Sequence, residues 1–468
     1  MAAMFSMHVS SPGNDKSALE EAAAMMVAPL VLAHFAPLDI RALAVSERKF
    51  PFRVRADLQR ELDALLKQNG SATTWFSGVR QDHAWQGIGF GSVISTFGEQ
   101  PVLSVPPQYD QVDIGQDEPV NCLQAGLWLM KQGDVSYAVL LSPAMKHGQT
   151  TGVAFQVATP NTEAGWSISR DFFKRLEESV QKAHSYRGKI LSLERDEETY
   201  SGRASGLKVH KLALVEREQV ILPRKTLELL DRNVMGFVAK RSMLSKFRQS
   251  TKKGLLFYGP PGTGKTHTIH YLARSLPGHT TLLVSAEQVG YLSEYMTLAR
   301  LLQPSMVVME DVDLIARDRT DMNSPCEEVL LNKLLNEMDG LKEDAEILFV
   351  LTTNRPQDLE AALASRPGRV DQAIEFPLPD EEGREKLVRL YSKGLEVPGD
   401  VIGDLVRRTD GVSAAFIKEL MRRSAQFHLE RAETGTISID DVSGALEEMV
   451  FSGGSLNRKL LGGNWREA

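Results

Sequence analysis

The chain has 468 residues, more than one ordinary core accommodates, so about two to four domains are expected. Apolar residues make up 42 % and charged residues 25 %, the balance of a globular protein rather than a disordered one. A net charge of −7 argues against a nucleic-acid partner, and no long Lys/Arg run offsets it.

Residues 1–40 form an N-terminal segment in which Ser17 to Phe35 is read as a buried or interface helix. Its apolar stretch, Ala22 to Ala36, contains Pro29 and His34 and falls short of the roughly 20 residues that span a bilayer. Acidic Glu20 and Glu21 precede it, which argues against a signal peptide. No membrane segment is therefore expected, and a cytoplasmic location is. Cys122 and Cys326 have no metal or redox spacing and are read as reduced, small apolar residues.

Residues 41–206 read as an α+β domain, a candidate for binding a client or partner. Helical spacing is expected over Asp57–Leu66 and over Asn121–Gln132. Strands are expected at Tyr137–Leu141 and Val153–Val157, separated by a polar turn from Lys146 to Gly152. Trp75, Trp85, Trp128 and Trp166 fall here and are expected to fill the core or snorkel at its surface. A further helix is expected from Phe172 to His184, then a strand within Tyr186–Glu194. The polar stretch 194–206 reads as a linker.

Residues 207–379 carry the chemistry. Lys208 to Leu222 suggests strands, and Arg224 to Phe247 a helix. Next comes an apolar strand, Gly254–Tyr258, then Gly259-Pro260-Pro261-Gly262-Thr263-Gly264-Lys265-Thr266, then a helix over His267–Arg274. This strand, glycine-rich loop and helix is a P-loop. Its backbone N–H groups cradle phosphate and the helix N-terminus adds its positive dipole. Lys265, read as an exposed charge with no core to fill, would meet the β- and γ-phosphates, and Thr266 would ligate Mg²⁺. The chain is thus expected to bind ATP with Mg²⁺. His267 adjoins the loop and is grouped with its nucleotide-binding residues. Neither His267 nor His270 is assigned catalytic or metal chemistry.

Ser305-Met-Val-Val-Met-Glu310-Asp311 is an apolar strand that delivers two carboxylates beside that loop. Glu310 would hold the Mg²⁺ shell, through water, and Asp311 would polarise the attacking water. Ile347–Thr353 is another buried strand, ending at Asn354, which can hydrogen-bond the lytic water or the γ-phosphate. Arg366 and Arg369 flank a Pro-Gly turn, a form suited to stabilising transition-state charge. Residues 380–450 read as helical: Phe416, Ile417, Leu420, Met421 and Phe427 form one apolar stripe. Residues 451–468 read as a docking or disordered tail.

In order and spacing these motifs resemble the AAA ATPases over about residues 215 to 445. The matching segments are GPPGTGKT, the acidic Walker B strand, Asn332–Leu341, TTNRP, RPGRVD and Thr409–Leu420. The resemblance implies a parallel-sheet α/β P-loop domain with an α-helical lid. It also implies ATP at a subunit interface, Asn354 as sensor, Arg366 and Arg369 acting in trans, and a homo-oligomeric ring, usually hexameric. Two departures stand out. Most relatives have Asp-Glu where this chain has Glu310-Asp311. The same inversion, and a preamble similar to Leu229–Val238, occur in the mitochondrial AAA chaperone that exports the folded Rieske iron–sulfur protein. The segment from Val284 to Pro304 is also shorter than peptide-threading relatives need. Tyr291 and Tyr295 can line a pore or pack on the helix running to Leu302, and packing is the expectation.

The sequence thus supports an ATP-hydrolysing remodeller of a protein client. The alternative is a nucleotide-gated scaffold with slow hydrolysis, and a nucleic-acid motor is disfavoured by charge.

Overall fold

The computed structural model describes residues 26–67, 71–82, 87–95, 100–146, 149–193, 206–313, 336–357, 370–431 and 436–452. Trp85, Cys326, Arg366, Arg369, most of the 194–206 linker and the tail beyond 452 lie outside the described residues. The chain divides into two compact units, 1–185 with 194–208 and 186–193 with 209–468.

The first unit is α+β. An antiparallel sheet carries β1 (Leu43–Pro51), β2 (Ser71–Arg80), β3 (Leu103–Val105), β6 (Gly126–Gln132), β7 (Val135–Lys146) and β8 (Gln149–Pro160) in the order β1-β8-β7-β6-β2-β3. A separate hairpin joins β4 (Tyr109–Val112) and β5 (Val120–Leu123). The longer helices among the described residues of this unit are α1 (Ala28–Phe35), α2 (Arg55–Leu66) and α3 (Glu163–Lys182), with a single turn at Phe90–Val93. Pro29 sits in the first turn of α1, where a missing N–H costs nothing. Thr162 caps α3 by accepting from Gly165 N, so that helix starts before the expected Phe172.

The helix expected over Asn121–Gln132 is instead two strands, β5 and β6. Leu127 to Met130 are all buried, and burial on both faces of β6 erases the alternation that marks a half-exposed strand. Trp128 is buried and stacks on Phe76 at 4.8 Å between centroids, whereas Trp166 is exposed and donates Nε1–H to Asn161. Cys122 is a buried free thiol, pushed up to about 12 by desolvation, which makes it unreactive.

The second unit is a parallel α/β sheet with a helical lid. Its strands β9 (Ile190–Leu193), β11 (Thr280–Val284), β12 (Ser305–Met309), β13 (Ile347–Thr353), β10 (Lys253–Tyr258) and β14 (Gln372–Glu375) lie side by side in that order, every pair parallel. Residues of β13 are buried throughout, as a central strand covered on both faces requires. The expected boundary at 206/207 misses β9, because Tyr186–Leu193 belongs to this second unit. The strand character expected in Lys208–Leu222 is met only at its start, where Leu207–Val209 is a short strand next to β9 at the edge of this sheet; further on, Arg217–Gln219 is a 3₁₀ turn closed by a reciprocal Glu216/Gln219 cap. The helix expected over Arg224–Phe247 is α4 (Arg224–Leu230), a wide π turn at Asp231–Met235, and α5 (Gly236–Lys246).

After the sheet come four lid helices: α8 (Glu381–Tyr391), α9 (Gly399–Arg408), α10 (Ala414–Arg431) and α11 (Ile439–Glu447). Phe416, Ile417, Leu420 and Met421 of α10 are buried in the lid core with Leu405, Val442 and Leu446, and Phe427 packs against it. Among the described residues no helix is long and apolar enough to cross a membrane.

Candidate nucleotide site

Parallel pairing in the register Val308↔Val350 and Phe257↔Thr352 brings the C-terminal ends of β10, β12 and β13 to one edge. Everything the three strands deliver therefore meets at that edge, where ligands bind in open α/β sheets. Between β10 and α6 (Lys265–Ser275) the chain turns through Gly259, Gly262 and Gly264 at φ of 149°, 75° and 98°. A Cβ on Gly259 would sit 2.2 Å from the Phe376 carbonyl oxygen, so glycine is required there. At Gly264 a Cβ would meet nothing within 4 Å, leaving open space at the N-terminus of α6 for a phosphate.

Lys265 is buried, not exposed as expected, with 7 % of its surface accessible. Its Nζ donates to the carbonyls of Gly259 at 2.8 Å and Pro260 at 2.9 Å. Burial lowers its pKa to about 8, while the charges of Asp311 and Asp313 pull the other way. A phosphate would complete the solvation this ammonium lacks.

The acidic pair is split by the backbone. Asp311 adopts φ of 50°, a left-handed conformation that Asp tolerates better than most residues. Glu310 Oε1 accepts from Thr266 Oγ1 at 2.7 Å, while Asp311 Oδ1 accepts from Asn354 Nδ2 at 3.0 Å. Asp311 N also donates to Thr352 Oγ1 at 2.9 Å. Thr266 and Glu310 together form an all-oxygen pair of the kind that binds Mg²⁺ directly or through water, so these residues fit the ion. Asn354 is fixed from behind by Asp313, whose Oδ1 accepts from Asn354 N at 3.1 Å and from Thr353 Oγ1 at 2.9 Å. Asp313 stands in the sequence next to the acidic pair, but its role was not apparent until β12 and β13 were seen side by side.

Lys265, Thr266, Asp311, Thr352 and Asn354 border a pocket of about 410 Å³ lined also by Gln219 to Leu222, His267, Leu387, Tyr391, Ala414, Ala415 and Lys418. Beyond the loop its lining mixes apolar and polar side chains, suited to a base and sugar. His267 Nε2 lies 3.2 Å from the Gln219 carbonyl, which gives this histidine a wall-forming part. The lid touches the loop directly: Ala415 N donates to Gly262 O at 3.1 Å. Sequence reasoning missed the lid and Gln219–Leu222 walls, because only tertiary packing brings them to the P-loop.

Residues 255–378 match the AAA family, the ATPase family associated with various cellular activities. The chain is 31 % identical over 226 residues to a proteasome-activating nucleotidase of Methanoculleus marisnigri, covering 46 % of this chain and 54 % of that protein. It is 32 % identical over 208 residues to 26S proteasome regulatory subunit 10B of Dictyostelium discoideum, covering 42 % and 52 %. It is also 32 % identical over 235 residues to a cell division cycle protein 48 homolog of Archaeoglobus fulgidus, covering 48 % and 30 %. The chain spans about half the length of the first of these relatives. Its P-loop, its split acidic pair and these likenesses agree: the chain carries an AAA ATPase domain.

Proposed function

We propose that this protein hydrolyses ATP with Mg²⁺ and uses the cycle to remodel a protein client, working as a homo-oligomeric ring. The observation that carries the reading is the pairing of Thr266 with Glu310 and of Asn354 with Asp311, with Thr266, Asp311 and Asn354 lining one pocket. Glu310 would hold the Mg²⁺ shell with Thr266, where a bound ion would supply neutralisation of phosphate charge. Asp311 would orient and deprotonate the attacking water, released for that task when Asn354 turns to the γ-phosphate. Arg366 and Arg369 would act on the neighbouring subunit's nucleotide. A protein client suits the net charge of −7 better than a nucleic acid. It also suits relatives whose names tie them to proteasome activation and regulation.

Tyr295 is fully buried, whereas Tyr291 is exposed and does not pack as expected; the burial of Tyr295 favours conformational switching over threading of a peptide past that side chain. The likeness of Glu310-Asp311 and Leu229–Val238 to the chaperone that exports the folded Rieske protein supports the same preference. A second reading, a nucleotide-gated scaffold with slow turnover, draws on the short reach of Asp311 and its engagement by Asn354. A pull-down with an ATP-trapped Asp311→Asn chain, followed by turnover measurements with the captured protein, separates the two. Stimulation of wild-type turnover supports remodelling; unstimulated slow turnover with stable capture supports the scaffold. Salt-dependent DNA or RNA binding would revive a nucleic-acid role.

A further inference from the structure

Strand β9 reaches the second unit's sheet by an unusual route. The residues before it, through Ser185, and after it, from Glu194, belong to the first unit. Its ladder to β11 joins Ile190 to Thr281 and Leu191 to Leu282. At Leu193 side chains take over. The Tyr295 hydroxyl accepts from Leu193 N at 2.9 Å and donates to Gln288 Oε1 at 2.8 Å. Gln288 Nε2 in turn donates to Leu193 O at 2.9 Å, closing a ring of three hydrogen bonds.

Both clamp residues belong to the segment that follows β11 at the nucleotide-facing edge of the sheet. Gln288 also caps the turn Ala286–Tyr291, its Oε1 accepting from Ser285 N, and α7 (Leu292–Leu301) follows with Tyr295 in its first turn. In register β11 ends with β12, Val284 opposite Met309, the residue before Glu310. Tyr295 has no accessible surface, and a phenylalanine would fill that volume without the cost of burying a hydroxyl. The hydroxyl is placed to hold the backbone of Leu193.

We propose that Tyr295 and Gln288 are positioning residues that clamp the 285–295 segment to Leu193, so that nucleotide-driven movement beside Glu310 is imposed on the chain leading to the N-terminal unit. The proposal rests on the ATPase reading and gives the cycle an output that needs no threaded peptide. Two discrete arrangements of this segment, biased by nucleotide, are what such coupling requires.

The test is hydrogen exchange at the Leu193 amide in the full chain with saturating ATPγS–Mg²⁺ and then with ADP–Mg²⁺. Nucleotide binding and basal turnover are measured on the same samples. In wild type the Leu193 exchange rate should differ between the two states by about 5-fold or more, the low end of measured couplings. In Tyr295→Phe that difference should vanish while nucleotide binding and basal turnover persist. If Tyr295→Phe does not fold, Gln288→Glu serves instead, since it keeps the acceptor for the phenol and removes the donor to Leu193 O. It should shrink the difference. Equal exchange in the two wild-type states, or a difference that survives Tyr295→Phe, would overturn the clamp with the ATPase reading intact. Wild-type protein that binds no nucleotide would overturn both.

Discussion

The carboxamide of Asn354 donates to Asp311 at 3.0 Å, so the proposed sensor and the proposed base restrain each other across two neighbouring strands. Asp313 holds the Asn354 backbone in place, which leaves the side chain as the moving part. On the proposed roles a γ-phosphate would compete with Asp311 for that one amide. Asn354→Ala should bind ATP–Mg²⁺ within a few-fold of wild type yet lose its ability to discriminate ATP from ADP. Turnover should fall by about 10-fold or more, on the scale of a lost positioned hydrogen bond. Equilibrium titration with both nucleotides, alongside steady-state turnover, checks this.

Lys265→Ala should abolish nucleotide binding. The buried ammonium also ties Gly259 and Pro260, so the variant should lose about 1–3 kcal/mol of stability without unfolding. The lowered pKa adds a pH signature. Phosphate favours the charged form, so nucleotide affinity should weaken as pH rises through about 8. Stability of the empty protein has the opposite sign: between about 8 and 10.5 the unfolded chain holds the extra proton, so raising pH favours the fold. Titrations and thermal melts across that range read both.

Catalysis should require assembly. Arg369→Ala and Lys265→Ala chains, each inactive, should regain turnover when mixed, because some interfaces then combine an intact P-loop with an intact arginine. Arginine-finger contributions run to about 10³–10⁵ in rate, so a few repaired interfaces should rise above background. No recovery in rings shown to be mixed, together with concentration-independent activity, would exclude action in trans.

A further pH effect arises at the opposite end of the sheet. Buried Arg241 Nη1 donates to His279 Nε2 at 2.9 Å, which requires a neutral imidazole whose Nδ1–H reaches the Pro277 carbonyl at 3.0 Å. Burial, reinforced by Arg241, holds the histidine below its ordinary 6.5. The unfolded chain therefore binds the proton first, and this contribution to stability is present above pH 6.5 and lost as pH falls below it. Wild type should lose up to about 1.4 kcal/mol per pH unit there, relative to His279→Gln, which keeps an acceptor without titrating. Parallel melting curves for the two proteins down to pH 5 would contradict this.

The P-loop and the strands bearing Glu310, Asp311 and Asn354 were legible because glycine spacing and buried apolar runs ending in polar residues are local signals. Asn121–Gln132 was misread because β6 is buried on both faces and loses its alternation. Lys265 was expected at the surface because a sequence does not show the carbonyls of Gly259 and Pro260 folding over it. Tyr391 and Lys418 wall the pocket from more than 100 residues away, a juxtaposition only the lid's packing creates. Strand β9 was visible as a strand, but its partner β11 could not be inferred from it.

Whether Asp311 activates water while Glu310 serves the ion is tested most directly by single-turnover hydrolysis at saturating ATP. Wild type, Asp311→Asn and Glu310→Gln would be compared across Mg²⁺ concentrations after nucleotide binding is verified for each. Asp311→Asn should bind ATP–Mg²⁺ normally and hydrolyse at least about 10²-fold more slowly at every Mg²⁺ concentration. Glu310→Gln should shift the Mg²⁺ dependence upward and recover rate as the ion is raised. Asp311→Asn turning over at the wild-type rate would contradict the assignment.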